Sequence, residues 1–160
     1  MIYTLNDLGL PEAVGQFARQ PAGIIFFAGG PGSGRTTSAA VLAENVASTT
    51  GRKVATLNKI GPEVLRDERE AGATAFLIDG PLSVDGLAAM VEAATGGALV
   101  IATMPGDRHP YSTLVDIVQA AEDWSGRLRR DFDAALYAII HQSLAGSALQ
   151  TEVHFHDDWR

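Results

Sequence analysis

Cysteine is absent from the chain, which excludes thiol catalysis and cysteine-based zinc sites and leaves the redox compartment open. Long apolar runs are missing too. None approaches the roughly 18 residues that a membrane-spanning helix needs, so no membrane insertion is expected. The stretch Met1 to Leu10 carries an acid and no basic residue, and so lacks the charged start of a signal peptide. Basic residues are scarce. Twelve Lys and Arg stand against nineteen Asp and Glu, a formal charge of −7, which argues against a broad nucleic-acid surface. Internal repeats and low-complexity linkers are lacking. What remains is 160 residues, 46% of them apolar. That is one domain with enough chain for a proper core, and a soluble cytoplasmic domain is the expectation.

The most informative stretch present is Ala28-Gly29-Gly30-Pro31-Gly32-Ser33-Gly34-Arg35-Thr36-Thr37. The apolar, β-branched run Gly23-Ile24-Ile25-Phe26-Phe27-Ala28 before it reads as a buried strand. Thr36 to Thr50 after it is rich in Ala and Val without Gly or Pro, and reads as a helix. A glycine-rich turn between strand and helix wraps a phosphate chain, because backbone N–H groups point inward and the helix N-terminus adds positive charge. Gly29, Gly34 and Thr36 match the phosphate-loop spacing G-x-x-x-x-G-K-[ST], with Arg35 at the lysine position. A planar fork on a longer arm is not a compact ammonium. Phosphate binding is therefore expected to survive better than hydrolysis.

The remaining elements follow from punctuation and periodicity. Pro11 opens a short helix to about Arg19, and Gly51 ends the helix that follows the loop. Strands are expected at 53–57, 74–78, 98–103 and 149–155, and helices at 62–71, 84–95, 112–123 and 127–144. The last helix rests on a stripe of Leu128, Phe132, Leu136, Ile139, Ile140 and Leu144.

Acids and polar residues close several of these strands. Asp79 ends Thr74-Ala75-Phe76-Leu77-Ile78. There it either holds Mg²⁺ with Thr36, through a water, or is a turn aspartate before Gly80-Pro81. Asp85, in the first turn of a helix capped by Ser83, either complements the helix dipole or orients an attacking water as a second acid. Thr103 ends a strand at the sheet edge where ligands bind in open α/β proteins, and would sense a terminal phosphate. Arg108 and His109 follow as outer contacts or exposed loop residues, and Arg127, Arg129 and Arg130 as a solvated face or subunit contact. His154, His156, Asp157 and Asp158 invite a metal reading, against which stands a frayed polar terminus.

Leu8-Gly9-Leu10-Pro11 together with Gly23 to Thr37 resembles the start and Walker A region of PilT/GspE-type ATPases of type IV pili and type II secretion. Ala93 to Met104 resembles the segment leading into their histidine box, Ala134 to Leu144 their late helix, and Glu152-Val153 the strand beyond it. The resemblance implies a RecA-like P-loop NTPase fold, α/β, with a mainly parallel sheet flanked by helices. It implies ATP and Mg²⁺ as ligands, with Gly29, Gly30, Pro31, Gly32, Ser33, Gly34, Arg35, Thr36 and Thr37 around the phosphates. It implies a hexamer, or an assembly with a pilus or secretion ATPase, peripheral at the inner membrane.

Every catalytic box departs from the family pattern. The Walker A lysine is Arg35, and the acidic box falls at Leu57-Asn58-Lys59-Ile60 without acids. The Walker B glutamate aligns with Gly80, the next glutamate with Asp85, and the box histidine with Pro105. The family's amino-terminal domain and carboxy-terminal helical domain have no counterpart in these 160 residues. Three readings follow: an ATPase using Asp79 and Asp85, a pseudo-ATPase that docks onto a partner, and a small-molecule kinase with Arg127 to Arg130 as its lid.

Overall fold

The computed structural model describes residues 4–59, 61–106, 110–122, 126–146 and 148–155. Ile60, Arg108, His109, His156, Asp157 and Asp158, all singled out above, lie outside them. The central strand β1 (Gly23–Gly29) is buried along its whole length, as a continuous apolar run in a sheet covered on both faces should be. It runs parallel to β4 (Leu99–Pro105) on one side and β5 (Leu136–Ala145) on the other. Beyond β4 come β3 (Ala75–Ile78) and the edge strand β2 (Val54–Leu57), both parallel. The last strand, β6 (Ala148–Phe155), pairs antiparallel with β5 and forms the opposite edge. The sheet order is β2-β3-β4-β1-β5-β6.

Alternation along β1 divides the core into two layers. Ile25 and Phe27 face α1 (Glu12–Gln16), the 3-10 turn Phe17–Arg19 and α2 (Arg35–Thr50). Ile24 and Phe26 face α3 (Pro62–Glu70), α4 (Val84–Thr95), α5 (Pro110–Glu122) and α6 (Gly126–Ala135). Phe26 and Phe27 are fully buried, each contributing about 1.5–3 kcal/mol. Consequently the chain leaves β1 toward one face and leaves β4 toward the other. Their carboxyl ends open a crevice at the switch point, where ligands bind in such sheets.

Local signals set most boundaries. Gly51 closes α2 in the left-handed conformation, φ 71°, and donates its N–H to Ala47 O. Ser83 caps α4 by accepting the Gly86 N–H at 3.0 Å. At the amino-terminal edge of the sheet Arg52 donates to Gln20 O, Pro21 O, Thr74 O and Thr74 Oγ1, which clamps the starts of β1 and β3 together. No helix among the described residues is long and apolar enough to cross a membrane.

One expectation is overturned. The helix expected over 127–144 stops at Ala135, and Leu136–Ala145 is the strand β5. The Leu128–Phe132 spacing belongs to a helix, but Leu136, Ala138, Ile139 and Ile140 are all buried, which no helix resting on one face achieves. The tract satisfies both periods, and the open side of β1 decides. Ladders to β1 and β6 pair its backbone on both sides. The likeness of Ala134–Leu144 to a late helix fails for the same reason.

Candidate functional site

The glycine-rich turn lies at the carboxyl end of β1, beside the crevice. Gly29 closes the strand, residues 30–34 make the turn, and Arg35, Thr36 and Thr37 form the first turn of α2. Gly32 and Gly34 have φ of 77° and 85°, a region that any side chain would strain. Gly29 is required for space instead, since a Cβ there would stand 2.5 Å from Gln142 O and closer still to the Ser33 hydroxyl. The turn therefore presents bare backbone to a ligand at a helix N-terminus whose first N–H groups have no intrahelical acceptor.

Asp79, just beyond β3, binds both neighbours across the crevice. Its Oδ1 accepts from Thr103 Oγ1 at 2.7 Å and from Thr36 Oγ1 at 3.3 Å. The expected meeting of Thr36 and Asp79 is thus observed. A hydroxyl and a carboxylate are hard oxygen donors of the kind that hold Mg²⁺. Asp85 stands apart from these hydrogen bonds, exposed in the first turn of α4. Gly80, where a second acid would be sought, has no room for one: a Cβ there would lie 2.5 Å from Asn58 O.

Arg35 is half-buried and bends back onto the sheet. Its Nη1 donates to Gly29 O and, at 3.0 Å, to Met104 O. The end of β5 supports the loop from the opposite side. Gln142 is buried, and its Nε2 donates to Ser38 Oγ at 3.0 Å and Ser33 O at 3.5 Å. His141 Nε2 meets Gly106 O at 2.9 Å. The buried polar side chains among the described residues are Ser33, Ser38, Thr103 and Gln142, all gathered around this loop.

Gln142 does not stand out in the sequence, because a helix over 127–144 gives it no place beside the loop. The available signal is an apolar run followed by polar residues, the pattern that also places Asp79 after β3 and Thr103 near the end of β4. A hollow of about 280 Å³ lies beside the loop on the β5 side, lined by Pro31, Gly106, His141, Gln142 and Leu144 among others. A larger one, about 460 Å³, opens between Arg66, Arg69, Thr74 and Gly96. It lies near the amino-terminal ends of β3 and β4, away from the glycine turn. Its arginines are engaged there, Arg66 with Glu92 and Arg69 with Gly96 O. At the chain's end His154 pairs with Glu152 at 3.3 Å, and no metal-binding group of three is formed among the described residues. Arg127 and Arg129 pair with Asp131 and Asp133 on α6.

No protein-family model and no curated protein matches the chain. Solved structures do resemble it. The ATPase DotB of Legionella pneumophila has a TM-score of 0.80 at 21% identity, covering 98% of this chain and 52% of that one. The pilus retraction motor PilT, with bound ADP, has 0.78 at 18%, covering 97% and 53%. The VirB11 ATPase of the Brucella suis type IV secretion system, in complex with sulphate, has 0.71 at 15%, covering 91% and 51%. The chain spans about half the length of each. At these identities the likeness is one of fold, and the chain has the RecA-like P-loop fold of these ATPases and this pilus motor.

Proposed function

We propose that the chain is a nucleotide-binding P-loop protein, related in role to pilus and secretion ATPases, that turns ATP over weakly or not at all. The observation that carries the binding half is the meeting of Thr36 and Asp79 at the mouth of the glycine turn. The residues fit the ligand. The bare backbone of the turn suits phosphate oxygens, and Thr36 and Asp79 would hold the Mg²⁺ that neutralises them when bound. Loop residues Gly30 to Thr37 provide the cradle, and Thr103 orients Asp79 from β4. The PilT structure holds bound ADP and the VirB11 structure holds sulphate, which supports a phosphate-bearing ligand for a chain of this fold.

The closed position at Gly80 supports the second half of the reading. Water activation would fall to Asp85, on an exposed helix turn. A protein of this kind acts through its nucleotide-bound shape, as a subunit or regulator docked on a pilus or secretion ATPase or in a hexamer of its own. Pairing of Arg127 and Arg129 with their own helix removes support from the kinase reading.

The test is calorimetric titration with ADP and with a non-hydrolysable ATP analogue, with and without Mg²⁺, beside a phosphate-release assay. Micromolar, Mg²⁺-strengthened binding with release no faster than a protein-free control is expected. Absence of binding up to millimolar ligand overturns the site. Turnover at the ordinary enzymatic rate of about 1 s⁻¹ or faster, abolished by Asp79→Ala and Asp85→Ala, overturns the second half.

A further inference from the structure

We propose that the site selects a nucleoside diphosphate over the triphosphate, because Arg35 holds its guanidinium on the ground a terminal phosphate needs. This deepens the reading above and rests on the loop binding a nucleotide. In P-loop proteins the residue at this position reaches the β- and γ-phosphates, and the metal bridges oxygens of both. The terminal phosphate therefore belongs between the loop and the residues that hold the metal. Here that is the crevice between β1 and the Thr36–Asp79 pair. Arg35 spans it. Gly29 O and Met104 O, the carbonyls that its Nη1 reaches, lie at the carboxyl ends of the neighbouring strands β1 and β4, Met104 one residue before the last of β4. Met104 directly follows Thr103, which binds Asp79.

The chemistry of the side chain makes this placement selective. An ammonium is a compact charge that can swing between carbonyl and phosphate, whereas a guanidinium is a broad, rigid fork. Hydrogen bonds from a cation to carbonyls are among the stronger kind. A terminal phosphate must lift the fork off both carbonyls, and Gly29 O and Met104 O then lose their charged donor. The last phosphate of a diphosphate lies within reach of the loop amides and of the cation, with the fork in place. The hollow beside the loop lies on the β5 side, away from Asp79. It leaves room for the nucleoside at the other end of the phosphate chain.

The experiment is calorimetric titration of the full chain with ADP and a non-hydrolysable ATP analogue, both with Mg²⁺, for the wild type and Arg35→Lys. The wild type is expected to bind ADP at least tenfold more tightly. Arg35→Lys is expected to bring the two ligands within about threefold of each other. Arg35→Gln, shorter and uncharged, supplies the same comparison if the lysine variant fails to fold. Equal or tighter wild-type binding of the analogue overturns the selectivity while the nucleotide site stands. A preference that both substitutions leave unchanged overturns the role of Arg35. Failure of both ligands to bind removes the nucleotide site itself.

Discussion

Thr103 donates its hydroxyl to Asp79 Oδ1 at 2.7 Å, so the end of β4 holds the carboxylate that ends β3. Thr103 is buried and Asp79 half-exposed, which fixes the acid on its inner side and leaves it open toward Thr36. Thr103→Val keeps the shape and removes the donor. A stability loss of about 1.5 kcal/mol is expected, the low end for a bond to a charged group, since water partly reaches this one. Mg²⁺ should also strengthen nucleotide binding less than in the wild type. Urea unfolding and paired titrations with and without Mg²⁺ measure the two effects.

Gln142 props the loop from below, and its loss leaves the Ser38 hydroxyl and the Ser33 carbonyl without that donor. Gln142→Leu should cost about 1–3 kcal/mol, the penalty for stranding buried polar groups. Ser38→Ala in the same chain should recover part of it, since it removes the stranded partner. Unfolding of both single variants and the double variant closes the cycle.

Gly80→Glu places an acid where the resemblance expects one, yet a Cβ at this position meets backbone, Asn58 O at 2.5 Å. Backbone cannot swing aside as a flexible side chain does. The variant should lose about 1–3 kcal/mol, as overpacked sites do, and gain no phosphate release. Thermal melting with the release assay decides. A stable variant that hydrolyses ATP contradicts the steric account.

Arg52 spends its fork on three carbonyls and a hydroxyl at the edge of the sheet opposite the loop. Arg52→Ala should destabilise the fold by about 1–3 kcal/mol, and Arg52→Lys should restore little, because one ammonium cannot span the same acceptors. Nucleotide affinity of the folded fraction should not change. Denaturant midpoints and titrations on the same samples separate stability from binding.

Much of this molecule was legible without coordinates. Gly29, Gly32 and Gly34, an apolar run before them and a helix-forming run after, specify a tight glycine turn between strand and helix by local physics alone. Bare backbone, left-handed glycines and helix N–H groups are properties of adjacent residues. The same holds for Ser83 capping α4, for Gly51 ending α2, and for Asp79 directly after β3. Tertiary structure decided the rest, because it turned on contacts between distant segments. Residues 136–144 fit a helix stripe and a strand equally well until the open side of β1 claimed them. That pairing alone carried Gln142 beneath the loop. Arg35 is a cation at a lysine position in the sequence. Only the approach of β4 to β1 supplies the Met104 carbonyl that holds it across the crevice. Gly80 looks like a simple loss until Asn58, brought alongside by the pairing of β2 with β3, closes the space around it. Local chemistry determined where the bare glycine turn lies, and long-range packing decided which side chains surround it.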